Sequence, residues 1–237
     1  MVNVPVIMRR ELQSFFLSPM AYLVLTGFAL VQGIQFAGVL EPHLDPAWVA
    51  EYAFHTPVYL LLFAAPLLTM GLLAAERAGG TLETMMTAPV SALEVVLGKF
   101  AAVLVFAMVM FLPLAAEVAF LGAQGQMDVG PVLAGLMGVF LLTGQCLAIG
   151  LFCSALTRVQ VAAAIMSFAV LLALYSALYF ARGAASAGAL LRYLSPPGHY
   201  GGLPQGVVDT RDVAYFAVGI VLFLALTVSA LQLRKWR

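Results

Sequence analysis

The chain has 237 residues, of which 63% are apolar and only 9% charged. A soluble domain carries roughly a quarter charged residues, so this composition excludes a water-exposed globule and places the chain in a membrane. Eleven basic against eleven acidic residues exclude a nucleic-acid surface, and two cysteines exclude a disulfide framework.

Residues 1–18 come first. Val4, Met8, Leu12, Phe15 and Phe16 share one helical face with Arg9, Arg10, Gln13 and Ser14 opposite, while Val6 and Ile7 break the pattern. This predicts a short helix lying in the membrane interface, its arginines toward anionic headgroups. The apolar stretch that follows is longer than a signal-peptide core and lacks a small-x-small cleavage site, so it reads as a span.

Scarce charges divide the rest. Crossing a hydrocarbon core of about 30 Å takes roughly 20 helical residues. The gaps between charges predict spans at about 19–40, 53–75, 99–120, 130–154, 159–181 and 213–233. No alternating period of a membrane barrel is present, so the fold class is an all-α integral membrane protein of one domain with six transmembrane helices. An even number of spans puts both termini on one side. Arg9, Arg10, Arg77, Lys99, Arg158, Arg234, Lys235 and Arg237 lie there, against Arg182, Arg192 and Arg211 opposite. By the positive-inside rule the termini are cytoplasmic.

The first cytoplasmic loop, 76–98, carries strong local signals. Gly79 and Gly80 allow a turn, Thr81 is a candidate N-cap with Glu83 in the first turn, and Pro89 enforces a stop. Ser91 to Glu94 forms a capping box that opens the next helix. The segment between is a helix of about six residues, too short to persist in water unless its own protein or a partner covers it. Leu82, Met85 and Met86 would be the contact face.

Glu117 is the one charge inside a span, in the outer part of the third. An acid at a helix centre costs about 3 kcal/mol on insertion scales, so it marks either a transport path or a polar helix contact, or else an interfacial carboxylate without a role. Gln32 and Gln35 in the first span either line a polar path or bond a neighbouring helix. Pro66 and Pro113 are expected to kink their spans. Gly130, Ala134 and Gly138, with Gly144/Ala148 and Gly150/Ser154, form a small-residue series that permits close helix contact. Cys146 and Cys153, seven apart, share a face as packing thiols.

Enzyme chemistry is not indicated. Around Gly98-Lys99 the phosphate-loop pattern fails, with Leu93 where its first glycine belongs and Phe100 after the lysine. His43, His55 and His199 lack metal-ligand spacing, so no metal site is expected.

Four stretches carry a family resemblance. Gly80-Thr81-Leu82-Glu83, Thr87-Ala88-Pro89-Val90 and Leu97-Gly98-Lys99-Phe100 lie within 76–100; Gly150 to Ala163 and Gly206 to Asp212 follow, and Arg9 to Leu12 with Phe15 and Ser18-Pro19 opens the chain. These resemble ABC type-2 export permeases, closest to the gliding-motility and nitrous-oxide-reductase-maturation subgroup. That subgroup often has two acids before the loop, where this chain has Ala75 and Glu76. The resemblance implies a permease subunit of an ATP-binding-cassette exporter in a bacterial inner membrane, with an N-terminal interfacial helix and a cytoplasmic coupling helix. It implies a cytoplasmic ATPase dimer as partner, a second permease subunit of the same or related chain, and an extracytoplasmic or accessory membrane subunit. ATP and magnesium would then belong to the ATPase, and this chain would bind no cofactor. Glu76, Gly80, Thr81, Leu82, Glu83, Met85, Met86 and Pro89 are the ATPase-coupling residues so implied. The rival readings are an ion-coupled secondary transporter and a membrane anchor for an extracytoplasmic complex.

Overall fold

The computed structural model describes residues 3–39, 46–80, 90–123, 128–181 and 188–235. Every element among them is helical: α1 (Val4–Leu17), α2 (Pro19–Val39), α3 (Pro46–Ala78), α4 (Ala92–Met110), α5 (Leu112–Ala123), α6 (Val129–Leu156), α7 (Gln160–Ala181), α8 (Gly188–Leu194), α9 (Pro196–Tyr200), a 3-10 turn (Leu203–Gln205) and α10 (Thr210–Lys235). Six of them, α2, α3, α4, α6, α7 and α10, are long and apolar enough to cross a bilayer. The fold is an all-α integral membrane bundle. Its proximal end carries α1 and its distal end carries α8, α9 and the 3-10 turn.

Helix boundaries depart from the charge-based expectation in the third span and the loop before it. α3 runs on to the Gly79–Gly80 turn and α4 begins at Ala92, as the capping box at Ser91–Glu94 predicts, so both helices extend past the span bounds that charge alone sets within the 76–98 loop. Charges stop a span only when nothing neutralises them, and here they are met in place. Ser91 Oγ accepts from the Glu94 amide at 3.2 Å, and Glu94 Oε2 accepts from the Ser91 amide at 3.1 Å. This capping box starts α4 about two turns before Lys99. At the other end, the single third span expected over 99–120 is two helices, α4 and α5, with Phe111 at φ −89°, ψ 7° between them. Pro113 supplies no amide proton to the Val109 carbonyl, and the ladder breaks there.

α6 is the central helix, with α3 and α10 packed most extensively on it and α7 beside them. Small residues make this possible. A β-carbon on Gly150 would collide with the Thr69 hydroxyl, so α3 and α6 meet at backbone distance. Four residues on, Ser154 Oγ accepts from the amides of Leu73 and Ala74 at 3.1 Å each and donates to the Met70 carbonyl at 3.0 Å. Its hydroxyl therefore sits within the α3 ladder. Gly144 meets Ile220 of α10, and Gly138 meets Leu203 and Tyr200, whereas Gly130 has open space and plays no part in the predicted series. Cys146 and Cys153 are both buried on this helix.

Two side chains serve the outer part of α3. Pro57 has no amide proton, so the Ala53 carbonyl lacks its helical donor. Gln32 Nε2 supplies one at 3.2 Å. The next carbonyl, Phe54, accepts from the Tyr200 hydroxyl at 2.7 Å. Burial pushes that phenol's pKa far above its ordinary range, so it remains a donor.

α1 packs along the proximal half of α4. Ile7, expected to interrupt its apolar face, is its most buried residue at 8% exposure, while Phe16, half-exposed, meets the Phe106 ring edge-on with centroids 5.4 Å apart. The reason lies across the interface: Gly98 presents bare backbone, and a β-carbon there would come within 2.8 Å of Ile7. Phe15 completes the contact by stacking on Phe106, centroids 5.0 Å apart.

Candidate functional site

At the proximal end, three elements converge on one lysine. Lys99 of α4 is 1% exposed, and its Nζ lies 2.9 Å from Glu11 Oε1 of α1 and 2.9 Å from Glu76 Oε1 of α3. Arg10, largely in solvent, closes the ring from outside, its Nη2 3.1 Å from Glu76 and 3.3 Å from Glu11. Among the described residues the cluster thus joins two cations to two carboxylates. A buried cation persists only when paired and hydrogen-bonded, and Lys99 has both acids within charge-assisted range.

Chain direction explains why these residues meet. Glu76 is in the last turn of α3, and Lys99 is two turns into α4, so both flank the same loop. α1 lies across them with Ile7 seated on Gly98, which brings Glu11, one turn further along α1, over Lys99. Beside the cluster the Arg77 guanidinium donates to the Ala155 carbonyl at the C-terminus of α6, a favourable place for a cation. The loop leaves α3 through Gly80 at φ +71°, a left-handed conformation that favours glycine. It returns through the Ser91–Glu94 box.

Of the residues singled out from sequence, Glu76 and Gly80 therefore sit at the foot of this loop. Thr81, Leu82, Glu83, Met85, Met86 and Pro89, and with them the expected coupling helix, lie outside the described residues. Glu11, Arg10 and Lys99 were not read as a site: Arg10 was expected to face lipid headgroups, and the stretches Arg9–Leu12 and Leu97–Phe100 were noted only for their family resemblance.

A second polar group lies toward the distal end. Gln32 Nε2 donates to Glu117 Oε2 at 2.7 Å as well as to Ala53, which joins α2, α3 and α5. Gln35 is half-buried and makes no side-chain hydrogen bond among the described residues. Above them, His199 is held by Asp212 Oδ1 at 2.7 Å on Nδ1 and by the Tyr193 carbonyl at 2.8 Å on Nε2. Its ring stacks on Tyr215 at 4.1 Å. This histidine fastens α9 to the start of α10.

The sequence matches the family described as ABC-2 family transporter protein over residues 10–183, from the ion cluster through α7. No curated protein matches the chain. With that match covering most of its length and six helices able to cross a bilayer, this chain belongs to the ABC-2 family of transporter proteins, as a multi-pass membrane permease subunit.

Proposed function

We propose that the chain is the permease subunit of an ATP-driven exporter in a bacterial cytoplasmic membrane, with both termini and the Lys99 cluster on the cytoplasmic side. It works with a second permease subunit and two separate ATPase subunits, which bind the ATP and magnesium. The segment between α3 and α4 is the coupling element. The observation that carries this reading is the buried ion cluster, because it joins both stems of that loop to α1 through a single lysine. A push on the loop then moves α3, α4 and α1 together, since separating any of them strands a charge in a poorly solvated place.

Partner capture falls to the apolar side chains Leu82, Met85 and Met86, methionine being suited to adaptable interfaces. Truncating an interface anchor commonly costs about 2 kcal/mol, roughly thirtyfold in affinity. Leu82→Ala with Met86→Ala should release the ATPase or uncouple hydrolysis from transport, while Thr84→Ala changes little. The measurement is co-purification from membranes in mild detergent, with partners identified by mass spectrometry. If wild-type chain retains no nucleotide-binding protein while its fold is intact, the exporter reading fails and an ion-coupled transporter replaces it.

A further inference from the structure

Glu117 is 6% exposed and receives one hydrogen bond, from Gln32, with no cation paired to it among the described residues. Its second oxygen, Oε1, is buried without a partner, and so is Oε1 of Gln32. Two acceptors are thus left over on the two side chains that already touch through Gln32 Nε2 and Glu117 Oε2. Thr56 adds a third buried oxygen without a partner, one turn from Ala53 on the same face of α3. The contrast with other buried threonines is informative: Thr69, Thr143 and Thr227 each donate to the carbonyl four residues back, and Thr56 does not.

A carboxylate only accepts, and Gln32 has already used its amide group on Glu117 and on the Ala53 carbonyl. A single proton resolves the remaining mismatch. Placed on Glu117 Oε1 it turns that oxygen into a donor, and Gln32 Oε1 is the acceptor on the same partner. The result is the cyclic acid–amide pair, with N–H to the acid carbonyl and O–H to the amide carbonyl. It also removes an unpaired charge from an apolar junction.

We propose that the junction of α2, α3 and α5 is a proton-binding site, with the proton carried on Glu117 Oε1 and shared with Gln32 Oε1. Release gives the carboxylate and a proton that passes to water at the distal face; no other co-reactant is needed. Of the helices packed on α5, α2 carries Tyr22, at its far end. α3 carries Glu51, Tyr52, His55 and Tyr59 in its distal part, the His55 ring lying against Tyr200, and α4 carries Glu94 and Lys99 at the proximal end. Among the described side chains Glu117 bonds Gln32, and its Oε1 has no partner, so the proton resides on Glu117 itself. The site is independent of the ATPase reading and stands or falls by its own test.

The test uses the full chain in lipid nanodiscs with dicyclohexylcarbodiimide, an apolar reagent that attacks protonated carboxyls. Mass spectrometry should find the adduct on Glu117 at neutral pH, lost progressively as pH rises and unchanged when sodium is replaced by potassium or choline. The infrared difference between wild type and Glu117→Gln should show one neutral-acid carbonyl band disappearing. If Glu117→Gln does not assemble, the pH series on wild type decides alone. Carboxylate bands only, with no adduct at any pH, overturn the proposal. Suppression of the adduct by sodium or potassium at fixed pH also overturns it and makes the three oxygens a metal-cation site.

Discussion

Lys99 and Arg10 contact the same two carboxylates, yet their environments set very different weights. Lys99 is enclosed, so its replacement by methionine leaves Glu11 and Glu76 facing each other with one solvent-screened cation between them. Breaking a buried pair from one side typically costs about 3–5 kcal/mol, whereas an exposed pair contributes about 0–1 kcal/mol. Lys99→Met should therefore lower the thermal midpoint of the purified protein sharply, and Arg10→Ala should leave it nearly unchanged. Equal effects from the two, measured in the same detergent, would remove the central role given to Lys99. None of this cluster was legible in the sequence, because Glu11, Glu76 and Lys99 are far apart along the chain and no local pattern links them. The Ser91–Glu94 capping box was legible for the opposite reason: both partners lie within one turn.

Elements show the same division. Six spans follow from charge gaps alone, since a bilayer imposes the same length on every helix. Helix ends do not follow, because a charge ends a span only if nothing in the fold meets it. Arg77, Glu94 and Lys99 all have partners, and α3 and α4 run past the charge-based bounds to the Gly79–Gly80 turn and the Ser91 cap that the local sequence marked. Ile7 was misread because a helix face is defined by what it packs on, and Gly98 is distant in sequence. The small-residue series was readable as a permission for contact but not as a pairing. The structure assigns Gly150 and Ser154 to α3 and Gly144 to α10. The α3 pairing is testable. Gly150→Ala drives a methyl into Thr69 and should destabilise by about 1–3 kcal/mol, the usual range for overpacking. Thr69→Ala removes the hydroxyl and methyl but leaves a β-carbon 2.9 Å from the new methyl; because the Thr69 hydroxyl bonds only within its own helix, it should cost little alone and restore part of the loss in the double variant. Destabilisation that simply adds in the double variant would show that the two residues do not meet.

At the scale of the whole molecule the proposed orientation puts the proximal end in the cytoplasm, and that is testable. Val207 is exposed at the distal end and Arg9 at the proximal end, while both native cysteines are buried and give little background. A membrane-impermeant maleimide added to intact cells should label Val207→Cys and leave Arg9→Cys untouched until the cells are opened. The reverse pattern would put the loop between α3 and α4 on the wrong side for any cytoplasmic ATPase.

The two side chains that serve the Ala53 and Phe54 carbonyls do more than fill vacant acceptors. They hold α3 one turn before Pro57 from two different elements, Gln32 from α2 and Tyr200 from the distal α9. From there to Glu76 the helix, with Pro66 inside it, spans about 28 Å at its standard rise. Pinned at Pro57 and tied at Glu76 to the Lys99 cluster, α3 acts as a lever with its fulcrum at the distal face and its load at the proximal one. Each degree of tilt about Pro57 carries the Glu76 end through about 0.5 Å by that length. A movement of the loop by the width of one hydrogen bond, about 3 Å, thus requires only about six degrees at the fulcrum. Conversely, whatever loosens Gln32 or Tyr200 at the distal face changes the stiffness felt at the proximal one.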